Sequence, residues 1–260
     1  GALALLAGEG YAMVLQIHDF AEDFRPANYQ RMAAEFGSSA LARTLYPQAS
    51  HIHYAVLSRR DFAVLTQAGV ARDRLHLLPN AVAAVERFPS RDAARRELDR
   101  RFGISPRRRF LLYPVRGIRR KALGETLLWS LMVDEAAELG VTLAPRSPAE
   151  RESYLRWKNL ANELRLACHF ELGEEDGLPL ARNLAAADCV LTTSIAEGFG
   201  MAFLEPWMSR RALVGRRLPE ITEDFEARGL RLDGLYDVLR APVSWIGRDV
   251  YAEALATGYD

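Results

Sequence analysis

The stretch Asp188-Cys-Val-Leu-Thr-Thr-Ser-Ile-Ala-Glu-Gly-Phe-Gly-Met-Ala-Phe-Leu-Glu205 passes from an apolar, partly β-branched run into a glycine-rich turn and then into a helix-forming run. Val190 to Thr193 reads as a buried strand, Ser194 to Gly200 as a turn, and Met201 onward as a helix. Glycines at such a turn let the backbone approach a ligand closely. The N–H groups of Gly200, Met201 and Ala202 point out of the helix start, where the dipole favours an anion, so the turn is a seat for phosphate. Two carboxylates frame it, Glu197 in the loop and Glu205 inside the helix. Like charges repel, so neither suits a phosphate; a carboxylate accepts several hydrogen bonds, and a sugar diol suits both.

Working outward, 260 residues with 49% hydrophobic and 26% charged side chains describe a globular chain able to bury one large core or two modest ones. Thirty-four basic residues balance 34 acidic ones. No global field recruits nucleic acid or an anionic membrane, and any anion site must be local. Lys121 and Lys158 are the only lysines in the sequence. Cys168 and Cys189 stand in apolar surroundings without metal spacing and read as buried free thiols in a reducing compartment. Nothing is long enough to span a membrane, and the opening Gly1-Ala-Leu-Ala-Leu-Leu-Ala7 lacks the basic start of a signal peptide. The absence of an initiating Met suggests a fragment cut short at its N-terminus.

Along the chain, Tyr11 to Ile17 is an expected strand with His18-Asp-Phe20 at its carboxyl end, where open α/β sheets bind ligands. Pro26 opens a helix to about Phe36, and His51 to Leu57 is the next strand. Ser58 is placed to cap a helix that Gly69 closes, and Leu75 leads into a third strand ending near Pro79-Asn80, with Asn80 a turn residue. Ala83 to Arg109 is a charge-dense connection with one helix, Ser90 to Phe102; Arg107-Arg-Arg109 lacks interleaved aromatics and reads as a solvated strand entrance. Phe110 to Tyr113 is a strand, followed by Arg116 and, five residues on, Lys121. Gly124 to Leu139 is expected to be helical with Gly140 as its stop, and Val141 to Ala144 a strand. Ser147-Pro-Ala-Glu150 reads as a capping box opening a long helix to about Leu166. His169 to Gly173 is expected as a strand, Leu178 to Ala187 as a helix, and Leu235, Tyr236, Val243 and Trp245 as packing residues.

Glu197-Gly-Phe-Gly200 with Glu205, the pair Arg116 and Lys121, and Leu15-Gln-Ile-His18-Asp-Phe together resemble the retaining GT-B glycosyltransferases of the group-1, GT4-like family. The resemblance covers about Leu15 to Ile221 and implies an α/β, GT-B-like fold: two Rossmann-like domains with parallel sheets facing a cleft, the N-terminal one incomplete. Its boundaries fall at 1–82 for the acceptor-side domain, 83–109 for the linker and 110–260 for a donor domain truncated at its C-terminus. It implies a hexosyltransferase that moves a sugar from a nucleotide-diphosphate sugar to an unidentified acceptor with retention, needing neither metal nor cofactor; the sequence holds no Asp-x-Asp motif. Carried over residue by residue, Arg116 and Lys121 neutralise the diphosphate, Glu197 and His18 meet the transferred sugar, and Gly198, Phe199, Gly200, Met201, Ala202 and Glu205 bind the donor, Glu205 at the ribose. A leaving diphosphate gains charge as the glycosidic bond breaks, so fixed cations aimed at it favour the transition state. Pro114 and Ala122 stand where the family pattern has glycines, which leaves the shape of the Arg116–Lys121 loop open. A cytoplasmic location is implied, with peripheral membrane association left open. The alternatives are a nucleotide-sugar epimerase or phosphorolytic enzyme of the same architecture, and a non-catalytic nucleotide-sugar-binding protein.

Overall fold

A computed structural model describes residues 2–24, 26–82, 88–133 and 136–258. The first part of the linker, 83–87, therefore lies outside the described residues. The chain opens with α1 (Ala2–Gly8), β1 (Met13–Ile17), α2 (Ala21–Phe24), α3 (Pro26–Phe36), α4 (Ser38–Leu45), β2 (Ile52–Val56), α5 (Arg59–Gln67) and β3 (Leu75–Leu77). The three strands form a parallel sheet in the order β1-β2-β3. Alternation along the strands sends Ile52, Tyr54 and Val56 inward onto Phe20, Leu65, Val70 and Leu75, with Leu15 and Ile17 partly buried beside them. Ser58 caps α5 as its sequence position predicts, its Oγ accepting the Asp61 N–H at 3.1 Å, and Gly69 follows the helix at φ +86°.

After α6 (Arg91–Phe102) come β4 (Arg109–Arg116), α7 (Leu123–Met132), β5 (Ala137–Leu143), α8 (Pro148–Glu163), β6 (Cys168–His169), α9 (Leu180–Ala186) and β7 (Cys189–Thr192). Then follow α10 (Met201–Met208), β8 (Ala212–Arg216), α11 (Pro219–Glu226), β9 (Leu235–Tyr236), α12 (Val243–Ile246) and α13 (Arg248–Gly258). Six parallel strands run in the order β6-β5-β4-β7-β8-β9. β4 is buried on both faces, as expected of a central parallel strand. Phe110 and Leu112 join a core with Leu98, Leu172 and Val190, while Leu111, Tyr113 and Val115 join another with Leu123, Leu139 and Tyr154. Among the described residues no helix is long and apolar enough to cross a membrane.

Several elements differ from the sequence expectation. The helix expected over Gly124–Leu139 ends at Met132, and Ala137 to Gly140 belong to β5. Ala137, Leu139 and Val141 alternate onto one core, a strand period, and Gly140 is no helix stop. A Cβ on Gly140 would lie 2.3 Å from Leu172 Cδ1 and 2.8 Å from the Phe110 ring, so this glycine lets a strand pass beneath two large side chains. The capping box at Ser147 does not form: the Ser147 side chain makes no cap bond, and Glu150 Oε2 instead accepts the Arg119 N–H at 2.9 Å. The strand expected at His169–Gly173 is confined to Cys168–His169. Val243 and Trp245 do not pack; Trp245 is 80% exposed. Tyr236 does, stacking on Trp129 with ring centres 6.1 Å apart.

Candidate active site

The chain runs outward from β4 to β5 and β6, then returns to place β7 on the other side of β4. The loops leaving β4 and β7 therefore diverge at the carboxyl edge of the sheet, which is where open α/β sheets hold ligands. Lys121 and the stretch from Glu197 to Glu205 fall on these two loops or on α10.

The β4 loop tightens into a 3-10 turn at Arg119–Lys121, and Lys121 is tied down through its backbone. Its carbonyl accepts from Tyr113 Oη at 3.1 Å and from Thr193 Oγ1 at 2.9 Å, and its N–H donates to the Ile118 carbonyl at 2.9 Å. The next residue, Ala122, sits in the left-handed region at φ +46°. This is a position where the resemblance leads one to expect glycine, and the left-handed backbone is one that glycine adopts without strain.

Lys121 is buried, and its ammonium is hydrogen-bonded to Glu197 Oε1 from the β7 loop. Ser194 Oγ donates to the same oxygen at 2.6 Å, and Arg120 Nη1 reaches Glu197 Oε2 at 3.1 Å. Burial pushes the Lys121 ammonium below its ordinary value of 10.5, with neighbouring Glu197 pulling the other way. Burial likewise pushes the Glu205 carboxyl up; the Lys121 charge opposes this and Glu197 adds to it. The Lys121 ammonium is thus paired with Glu197, and its charge is also felt by Glu205, the other carboxylate that frames the glycine turn.

Gly200 is the N-cap of α10 at φ +89°. A Cβ there would lie 2.4 Å from Ile221 Cγ2 and 3.0 Å from Phe203 Cδ2, so both conformation and space require glycine. Met201 and Ala202 form the first turn and are half-buried. Phe199 turns away from the open edge and packs edge-on against Phe225, 5.7 Å between ring centres, within a cluster of Phe203, Leu218 and Ile221.

The first sheet meets this loop from the opposite side. His18 and Asp19 follow β1 directly, and a Cβ on Gly198 would lie 3.0 Å from the His18 carbonyl oxygen and 2.8 Å from Asp19 Oδ1. Gly198 is thus one place where the two halves come close, with no room for a side chain between them. A second bridge joins α5 to α11: Asp224 Oδ2 accepts the Arg59 N–H at 2.8 Å, and Asp224 Oδ1 lies 3.4 Å from Arg59 Nε.

Of the residues singled out from sequence, the structure brings together Lys121, Glu197, Gly198, Gly200 and Glu205, with the backbone of His18 across the gap. It does not bring Arg116 into the cluster. Arg116 ends β4 and donates from Nη1 to the Ala144 carbonyl at 2.7 Å, on the β5 side. Among the described residues no carboxylate pairs with it. Asp19 lies in the candidate stretch after β1, but sequence reasoning missed Arg120, Ser194 and Asp224; adjacency to Lys121 and a position three residues before Glu197 were the only sequence signals for the first two, and Asp224 had none.

No protein-family model matches the chain. Over 219 residues, 82% of its length, it is 29% identical to mannosylglucosyl-3-phosphoglycerate synthase of Petrotoga mobilis. HepE of Anabaena, solved with UDP-glucose, superposes with a TM-score of 0.63 at 15% identity, covering 98% of this chain and 66% of that one. Sucrose-phosphate synthase of Thermosynechococcus elongatus gives 0.64 at 18% identity, covering 98% of this chain and 62% of that one. The chain has the GT-B fold. It spans 42% of the length of the Petrotoga mobilis relative. In GT-B terms, the two facing sheets are the two halves described above, and the cluster at the β4–β7 divergence lies where they meet.

Proposed function

We propose that this chain carries the nucleotide-sugar site of a retaining glycosyltransferase that works without a metal. The observation that supports it is the convergence of a buried ammonium, Lys121, with two carboxylates, Glu197 and Glu205, around a glycine-capped helix start at the switch point of a parallel sheet. Each part has a distinct task. The α10 N–H groups of Gly200, Met201 and Ala202 take the donor diphosphate. Lys121 supplies its positive charge, while Arg116, held at the Ala144 carbonyl outside the cluster, is given no part in it. Glu205, whose carboxylate feels the ammonium's charge and has no side-chain hydrogen bond among the described residues, accepts from the ribose. Glu197, with His18 across the gap, meets the transferred sugar.

As the glycosidic bond to the donor breaks, charge grows on the diphosphate oxygen, and fixed donors there stabilise the transition state more than the ground state. That the Petrotoga mobilis relative is a mannosylglucosyl-3-phosphoglycerate synthase and that HepE was solved in complex with UDP-glucose agrees with the reading.

The test is a thermal-shift screen of UDP, GDP and ADP sugars against the protein, repeated with Glu205→Gln. One donor class is expected to raise the melting temperature, with the rise shrinking in the variant because the ribose contact is weakened. A rise that is the same in Glu205→Gln would remove the ribose role, and no rise with any donor would remove the reading. Product analysis without an acceptor separates transfer from epimerisation.

A further inference from the structure

Arg120 has no part in the pattern that pointed to this site, yet it holds four consecutive residues of the opposite loop. Its carbonyl oxygen accepts the Ile195 N–H at 2.9 Å and lies 3.4 Å from Ser194 Oγ. Its guanidinium donates through Nη1 to the Ala196 carbonyl at 2.8 Å and to Glu197 Oε2 at 3.1 Å. Main chain and side chain of one residue thus grip the segment from Ser194 to Glu197 from both sides, and join the β4 loop to the β7 loop across the divergence.

The consequence falls on the lone pairs of Glu197. A carboxylate offers about four acceptor directions. Oε1 takes two donors, the Lys121 ammonium and Ser194 Oγ, while Oε2 takes Arg120. One direction on Oε2 remains for an incoming hydroxyl. With Arg120 gone, Oε2 is free to rotate toward Lys121, and the direction that remained open is lost. Both bonds leave Nη1, whose two N–H groups are held in the guanidinium plane, whereas an ammonium at this position is a point charge with rotating donors.

We propose that Arg120 is a positioning residue that fixes the Glu197 carboxylate against the transferred sugar, so that it governs recognition of the sugar and not of the nucleotide. This rests on the glycosyltransferase reading above.

The experiment compares, by calorimetry, UDP-glucose with UDP, GDP-mannose with GDP and ADP-glucose with ADP, on the parent, Arg120→Gln, Arg120→Lys and Glu197→Gln. In the parent, one sugar nucleotide binds more tightly than its diphosphate. Arg120→Gln is expected to reduce that ratio by about tenfold, the size of one charge-assisted hydrogen bond, while the affinity for the diphosphate alone changes less than twofold. Arg120→Lys falls between. Adding Arg120→Gln to Glu197→Gln costs nothing further, because both act on one group. A purely structural role would weaken diphosphate and sugar nucleotide alike and would add to Glu197→Gln; either result overturns the inference, as does an unchanged ratio in Arg120→Gln. Should Arg120→Gln not fold, Arg120→Lys alone decides: an unchanged ratio there overturns the inference. A parent that prefers no sugar nucleotide over its diphosphate overturns the glycosyltransferase reading and this inference with it.

Discussion

Gly200→Ala separates two costs that the helix start combines. Gly200 lies at φ +89°, where a Cβ costs about 1–2 kcal/mol in the left-handed region. The same Cβ would stand 2.4 Å from Ile221 Cγ2, 3.0 Å from Phe203 Cδ2 and 3.2 Å from Phe225 Cε2, inside a packed cluster that must spread. Overpacking of that kind costs about 1–3 kcal/mol, giving a total of about 2–5 kcal/mol. Gly229 is the matched control: it has φ +91°, and nothing lies within 4 Å of its would-be Cβ. Gly229→Ala should therefore lose only the conformational part, about 1–2 kcal/mol. Urea unfolding of both variants reads the difference as a shift in midpoint at constant slope. Equal losses, or a loss under about 1 kcal/mol for Gly200→Ala, would refute the claim that space as well as backbone shape excludes a side chain at the α10 cap.

Lys121→Ala is expected to lower turnover by roughly 10²–10³-fold, the effect of losing one preorganised charge contact, and a loss under about threefold would remove Lys121 from the diphosphate site. Ala122→Gly is expected to stabilise the protein by about 0.5–1 kcal/mol, because relief of the φ +46° strain exceeds the added chain entropy of glycine; a destabilised variant would show the strain to be absent. Burial holds the free Lys121 ammonium below 10.5, and a bound diphosphate stabilises its charged form, so its proton affinity rises on binding. Donor binding at alkaline pH below that ordinary value should take up a proton and weaken as pH rises, which calorimetry in buffers of different ionisation enthalpy detects; buffer-independent heats would count against it.

What was legible in the sequence is local. The Ser58 cap, the glycine turn at Gly198–Gly200 and the strand before it each follow from residues a few positions apart, and all are present. Periodicity failed where one run serves two elements. Val133 to Gly140 could extend α7 or begin β5, and Leu139 and Val141 reach the core only as a strand. The Ser147 box was a sound local pattern overridden by a longer-range partner, since Glu150 is used by Arg119. In the site, Lys121, Glu197 and Glu205 were readable because their spacing is shared with a known family. Arg120 was not, because its role depends on four contacts across 74 to 77 residues of chain, and sequence spacing carries no trace of them. Arg116 shows the reverse: its spacing fits the pattern, but the strand carries on to its position and hands its side chain to Ala144.

The bridge from Asp224 to Arg59 gives α5 something unusual. The first amide of a helix in one half is satisfied by an acid that belongs to the other. Parting of the two halves would strip this partner from a main-chain donor and leave it to water. Hydrogen exchange at the Arg59 amide would then count such openings, because that amide stays protected only while the acid is in place.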